Sequence, residues 1–230
     1  MENLSAKERY GVITFLDVLG WKGVWQRKNE AIGDLESIVK AIKNKAKTKE
    51  RGIQTNDRII SKETTVMIVS DTIVLFTEAD FDSAKDKIEL HGELCAEAIP
   101  LSIKKGLPLR GATSFGEVII SNSNSIFAGK AIDEAASWHE KADWIGVYLT
   151  PSANFLFTSH LSKFWIENSP PLKDKALNYK THSVVWFNKE TINDFIKEVK
   201  KDFTQLAPIL PEIVSKFTNT IDYIKEFKDK

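Results

Sequence analysis

A chain of 230 residues can bury a sizeable core, and at roughly 100–200 residues per domain it reads as one domain with additions. Lys+Arg and Asp+Glu are both 32, so the formal net charge is zero and no bulk field recruits nucleic acid or an anionic membrane surface; an anionic ligand must be held locally. The single cysteine, Cys95, excludes a disulfide framework and any C-x-x-C motif and fits a reducing cytoplasm, while no apolar signal core opens the chain and no run reaches the roughly 18 apolar residues of a membrane span.

Residues 10–18 are nearly all apolar, the pattern of a strand inside a sheet, and Asp17 interrupts them just before their end. Gly20 and Gly23 loosen the backbone, after which Ile32, Leu35, Ile38, Val39 and Ile42 recur at helical spacing from residue 31 to about 47. Polar residues 48–63 read as a long connection. Residues 65–69 and 72–77 are β-rich, and Ser70-Asp71 between them predicts a tight hairpin whose tip carries an acid. A helix beginning at 80–83 carries Ile88, Leu94, Cys95, Ala98 and Ile99 until Pro100 kinks or ends it. Residues 107–114 and 117–121 predict a strand pair around Gly116, 122–125 a polar turn, and Gly129 precedes a short helix to Trp138. Residues 144–150 predict a strand, with Pro151 opening a helix.

The order to this point is βαββαββαβ. Beyond it Ser169-Pro170-Pro171 breaks the chain, residues 183–187 predict an edge strand, and 191–203 and 210–227 predict two amphipathic helices. No repeat, Gly/Ser linker or block of like charge divides the sequence. The expectation is one α+β domain: a core over residues 1–150, and an accessory edge strand with C-terminal helices over 151–230.

Two acids that interrupt apolar strands carry the chemistry. Side by side, Asp17 and Asp71 repel unless a divalent cation neutralises them, and oxygen ligands of this kind suit Mg²⁺ or Mn²⁺. Such a pair handles phosphates: two ions stabilise the attacking and leaving oxygens of an in-line displacement, while amides in the turn after Asp17 receive the phosphates and Gly20 lets that backbone approach. The competing reading, in which the aspartates only cap a helix and a turn, gives no reason for each to follow so apolar a strand. His91 and Cys95 share a helix face but find no second ligand pair, and are read as structural. The lysine-rich C-terminal helices interleave Glu and Asp and are read as solvated faces.

Taken together these stretches resemble the catalytic domain of the class III nucleotidyl cyclases. Phe15, Asp17, Val18 and Trp21 match a pattern F-x-D-[IV]-x-x-F, with Trp in the last place, and Asp71 matches the hairpin aspartate, preceded by Ser70 instead of Gly. Arg110 and Gly116 fall in register with R-x-G-I-x-x-G, with Ala112 at the middle Gly; Gly129, Ile132, Asp133, Ala135 and Ser137 align with G-x-x-[VI]-N-x-A-x-R. The resemblance covers about residues 10–150. It implies a ferredoxin-like βαββαβ class III core with a C-terminal helical elaboration. It also implies two Mg²⁺ or Mn²⁺ ions held by Asp17, Asp71 and the Val18 carbonyl, phosphates on the amides of Leu19, Gly20 and Trp21, and nucleotide-binding positions at Phe15, Met67, Ile126 and Asp133.

The departures matter as much. Met67 and Ile126 replace the polar residues that read a purine, and Asp133 and Ser137 replace the transition-state Asn and Arg. The chain is in this respect similar to the small bacterial pyrimidine cyclases of antiphage defence. That similarity implies conversion of UTP or CTP to cyclic UMP or cyclic CMP, a cytoplasmic homodimer with sites at the subunit interface, no nucleic-acid or membrane partner, and a downstream effector that senses the product. Arg110, Lys130 and Lys141 are the candidates for the missing cation. A catalytically degenerate nucleotide-binding relative is the alternative, and a dinucleotide cyclase is disfavoured because the hairpin tip lacks a Gly-Gly-acid sequence.

Overall fold

The first strand, β1 (Lys7–Val18), lies inside the sheet, third in its strand order. The computed structural model describes residues 7–51, 64–121, 126–157, 162–188, 190–206 and 209–227. β1 pairs antiparallel with β3 (Thr72–Glu78) on one side and β4 (Leu109–Ser121) on the other. β2 (Thr65–Val69) closes the predicted hairpin against β3, and the full order is β2-β3-β1-β4-β6-β8-β7, with β5 (Ile126–Ala128) paired to β4. β6 (Gly146–Leu149) runs parallel to β4, while β7 (Trp165–Asn168) and β8 (Thr181–Val184) add antiparallel strands beyond it.

Strand pleating sends alternate residues of β1 to opposite faces. Val12, Leu16 and Val18 join one core with α2 (Ala31–Arg51) and α3 (Ala84–Lys104); Ile13 and Phe15 pack on the other face with Ala131, Ile132 and Ala135 of α4 (Lys130–His139). Preceding α2 is the single turn α1 (Val24–Arg27). A polar group also holds the main core together. The buried His91 ring of α3 shares hydrogen bonds with Thr14 of β1 (Nδ1, 2.8 Å) and Thr77 of β3 (Nε2, 2.9 Å), and Thr14 reaches Thr113 of β4 at 2.7 Å. Burial drives the imidazole pKa down to about 3, so His91 is a neutral structural node.

The remaining helices, α5 (Pro151–Leu156), α6 (Ile192–Gln205) and α7 (Val214–Lys225, after a 3-10 turn at Pro211–Ile213), do not form a separate core. Trp144, Phe157, Trp165, Phe187, Phe203 and Tyr223 belong to the same buried cluster as Leu16 and Ile88.

Four expectations need correction. Residues 109–121 are one strand of 13 residues, not two; β4 stays in register with β1 on both sides of Gly116, and the short partner expected near it is β5. α3 continues through Pro100 to Lys104, because Ile99 and Ile103 are both buried and their burial, about 1.5–3 kcal/mol each, offsets the roughly 3 kcal/mol of an interior proline. β8 is flanked on both sides; the edge is β7, where the Trp165 indole donates to the Ile88 carbonyl (2.9 Å) and lies so close over Gly92 that a side chain there would collide with it. α2 runs to Arg51, four residues past its expected end. The rest of the predicted 48–63 connection and the 122–125 turn lie outside the described residues.

Candidate functional site

Asp17 lies opposite Thr72 of β3 and Arg110 of β4, at the end of β1. The β2–β3 tip folds onto the same place: the Val18 amide donates to the Asp71 carbonyl at 3.1 Å, so the tip that carries Asp71 is tied by its backbone to the residue after Asp17. Ser70 reaches this tip with φ 58°, a left-handed conformation that costs a non-glycine residue about 1–2 kcal/mol. Beyond β1 the chain turns at Gly20 with φ 74°, where glycine is at home. Phe15 is half-buried with its ring 5.7 Å from that of His139, and Trp21 meets Trp25 edge-on at 5.7 Å.

One expectation changes here. The Leu19 amide donates to the Pro108 carbonyl at 2.9 Å and its side chain is buried, so it is committed to the fold and not turned toward a phosphate. Gly20 and Trp21 remain at the turn.

Arg110 is the nearest cation. Its Nε donates to Asp17 Oδ2 at 2.9 Å, and its Nη1 donates to the carbonyls of Ala142 (3.2 Å) and Glu140 (3.4 Å). Both side chains of the pair are largely covered, 13% exposed for Arg110 and 14% for Asp17. A fixed guanidinium orients one carboxylate oxygen, which is the usual work of a partner behind a metal ligand. The segment 140–143 that grips Arg110 is bordered by residues 171–173, through the Ala142–Leu172 bridge and the Lys173 amide donating to the Lys141 carbonyl at 2.8 Å. The Lys173 ammonium is held below its ordinary value, first by desolvation and then by the Arg110 and Lys216 charges. Lys173 therefore joins Lys141 as a cation near Arg110. Local sequence gave no signal for it, because it follows the Ser-Pro-Pro break.

Other predicted positions lie elsewhere. Lys130 pairs with Glu117 at 2.9 Å, about 23 Å along β4 from Arg110 at about 3.3 Å per residue. Ile126 pairs with Ser121, farther still. Asp133 and Ser137 are exposed on α4, whose Ile132 and Ala135 face the sheet. α4 begins where Gly129 (φ 137°) lies against Glu117 too closely for a side chain, and ends beside Phe15 and Arg110. Met67 is half-buried on β2, opposite Val74, which in turn faces Phe15. Within one chain, then, Asp17, Asp71, Arg110 and Met67 share one end of the sheet, and Ile126 with the start of α4 occupies the other.

The Asp17 carboxylate, at a strand end tied by the backbone to the hairpin tip that carries Asp71, is the kind of oxygen donor a hard divalent cation takes. Mg²⁺ typically binds through one or two carboxylates and completes its shell with water and substrate phosphates, and among the described residues no set of three His, Cys, Asp or Glu forms a protein-only cage. No helix among the described residues is long and apolar enough to cross a membrane.

No protein-family model and no curated protein sequence matches this chain. Solved structures do resemble it. The catalytic core of a rhodopsin-guanylyl cyclase with converted specificity, in complex with ATPalphaS, superposes with a TM-score of 0.53 at 13% identity, covering 78% of this chain and 96% of that one. An adenylate/guanylate cyclase/hydrolase from Silicibacter pomeroyi gives 0.50 at 10% identity over 79% and 99% of the two chains. A bacterial light-regulated adenylyl cyclase gives 0.50 at 13% identity over 89% of this chain and 59% of that one. The chain therefore has the α+β fold of the class III nucleotidyl cyclase catalytic core, extended by C-terminal helices.

Proposed function

We propose that this protein is a metal-dependent nucleotidyl cyclase acting on a pyrimidine ribonucleoside triphosphate. The observation that carries the reading is the meeting of Asp17 with the Asp71 hairpin tip through the 3.1 Å Val18–Asp71 hydrogen bond, on a fold similar to cyclase cores. Asp17, Asp71 and the Val18 carbonyl hold two Mg²⁺ or Mn²⁺ ions, which supply Lewis-acid polarisation of the phosphates and a lowered pKa for the ribose 3′-hydroxyl. The 3′-oxygen forms its bond to the α-phosphorus, the bond to the bridging oxygen of the β-phosphate breaks, pyrophosphate leaves, and the hydroxyl proton passes to water. Arg110 orients Asp17, and the Gly20–Trp21 turn faces the departing phosphates.

The separation of the two half-sites supports a head-to-tail homodimer. Ile126 and the first turns of α4 lie too far from Asp17 to share a nucleotide with it in one chain, whereas a two-fold axis brings one end of each sheet to the other end of its partner. The apolar Met67 and Ile126, where purine cyclases place polar readers, support UTP or CTP as substrate, with cyclic UMP slightly preferred. The resemblance to the pyrimidine cyclases supports a cytoplasmic role in antiphage defence through an effector that senses the product.

The Arg110–Asp17 pair favours one second reading, a nucleotide-binding relative without turnover, since a cation already neutralises one of the two carboxylates. Incubation with each of the four ribonucleoside triphosphates and Mn²⁺, followed by mass analysis, separates the readings. Cyclic UMP or cyclic CMP with stoichiometric pyrophosphate is expected. Nucleotide binding without pyrophosphate release supports the second reading, and neither binding nor release removes both.

A further inference from the structure

The segment between α4 and β6 faces two ways. Toward the candidate site, the Ala142 carbonyl accepts from Arg110, which holds Asp17. Away from it, the next residue, Asp143, is enclosed by α7. Asp143 Oδ1 accepts from Ser215 Oγ (2.9 Å) and lies 3.5 Å from Lys216 Nζ; Oδ2 accepts from Asn219 Nδ2 (2.8 Å), which also reaches the Asp143 carbonyl at 2.7 Å. Lys175 approaches from outside at 3.5 Å. One residue pair on, the Ile145 amide donates to Thr220 Oγ1 at 2.8 Å.

α7 already docks through an apolar seam of Phe217, Ile221, Tyr223 and Ile224, so the polar clasp is an addition to that seam. Among the described residues, Asp143 is the buried carboxylate and Lys216 the buried lysine, and burying charge is unfavourable unless its hydrogen bonds are met and its geometry matters. An apolar seam fastens a helix more cheaply. What the polar clasp adds is direction: the Asp143 amide, in the same peptide unit as the Ala142 carbonyl, donates to the Pro171 carbonyl at 3.0 Å, while α7 holds the Asp143 side chain and carbonyl from the other side, so the two together fix the carbonyl of Ala142 on which the Arg110 guanidinium rests.

We propose that Asp143 is a positioning residue for Asp17, and that α7, through Asn219 and Lys216, sets the orientation of the carboxylate at the opposite end of that relay. The inference rests on the reading of Asp17 as a metal ligand. The C-terminal helices are then a working part of the site, and displacement of α7 loosens Arg110 and weakens cation binding. Partners behind metal ligands typically change affinity by about 10–100-fold when removed, and the lower figure applies here because the relay is one step longer.

The test uses the full chain. Mn²⁺ affinity is measured by the electron paramagnetic resonance signal of the free ion, and the Arg110 Nε–H is followed in ¹H–¹⁵N spectra, assigned by its loss in Arg110→Lys. Asn219→Ala, which keeps the Asp143–Lys216 pair, and the harsher Asp143→Asn are both expected to weaken Mn²⁺ binding about tenfold and to broaden or shift the Arg110 signal. A lower melting temperature with unchanged Mn²⁺ affinity and an unchanged Arg110 signal in Asn219→Ala overturns the proposal, leaving α7 as a scaffold. Failure of the unaltered protein to bind Mn²⁺ overturns instead the metal-site reading beneath it.

Discussion

Two ion pairs on β4 have the same length and opposite meaning. Arg110–Asp17 and Lys130–Glu117 both measure 2.9 Å, yet the first pair is 13% and 14% exposed, whereas Lys130 is 85% exposed. In water a lysine head and a carboxylate gain little from meeting, because solvent screens them and both side chains lose freedom. Arg110 has exchanged its water for Asp17 and two main-chain carbonyls, so removing either partner leaves a poorly solvated charge behind. Distance alone does not tell a buried, committed pair from a surface one; the surroundings do.

The largest effect expected is at the first pair. Asp17→Ala or Asp71→Ala is expected to lower nucleotide turnover by more than about 10³-fold, a barrier change of about 4 kcal/mol, with the fold intact by circular dichroism; full turnover in either variant removes the metal-site assignment. Arg110→Ala is expected to reduce stability by about 3–5 kcal/mol, read from urea denaturation, and a loss no greater than that of a surface pair erases the contrast between the two ends of β4.

A pH-dependent effect that is small near neutrality belongs to α3 and the strands it packs on. The His91 pKa lies near 3 in the folded protein because of burial and near 6.5 unfolded. Between these values the unfolded chain binds the extra proton, so stability is complete above about pH 6.5 and falls by up to about 1.4 kcal/mol per unit as pH drops toward 3. His91→Gln is expected to flatten that slope in thermal melts; an unchanged slope assigns it to the carboxylates. Smallest of all, Lys130→Ala is expected to leave the melting temperature where it is. If turnover nonetheless falls in that variant, the exposed end is acting on a second subunit, which sharpens the contrast into one between a folding pair and an intermolecular one.

Much of this was legible in the sequence because it is local. The apolar run ending at Asp17, the Ser70-Asp71 tip and the helical spacing after residue 31 each announce themselves within a dozen residues, and their order was enough to suggest the cyclase-like core. What escaped is non-local. Nothing near Arg110 says that its guanidinium meets Asp17, and nothing near Asp143 foretells Asn219 or Lys216, since these pairs depend on how distant segments stack. β7 escaped for another reason: four residues between a largely polar stretch and two prolines carry no period, and Trp165 is fixed by its fit over Gly92 on α3. Gly116 misled because a glycine inside a strand reads as a turn, yet β4 passes straight through it.

The ring of His91 has a bearing on how the chain reaches this state. It joins α3 to β1 and β3, and through Thr14 to β4, and none of those segments satisfies it alone. A partly assembled intermediate that buries the imidazole before Thr14 and Thr77 arrive strands a polar group in the apolar interior. β1, β3, β4 and α3 are thereby tied to one another through a single buried polar group, and separating any one of them from the rest leaves that group short of a partner.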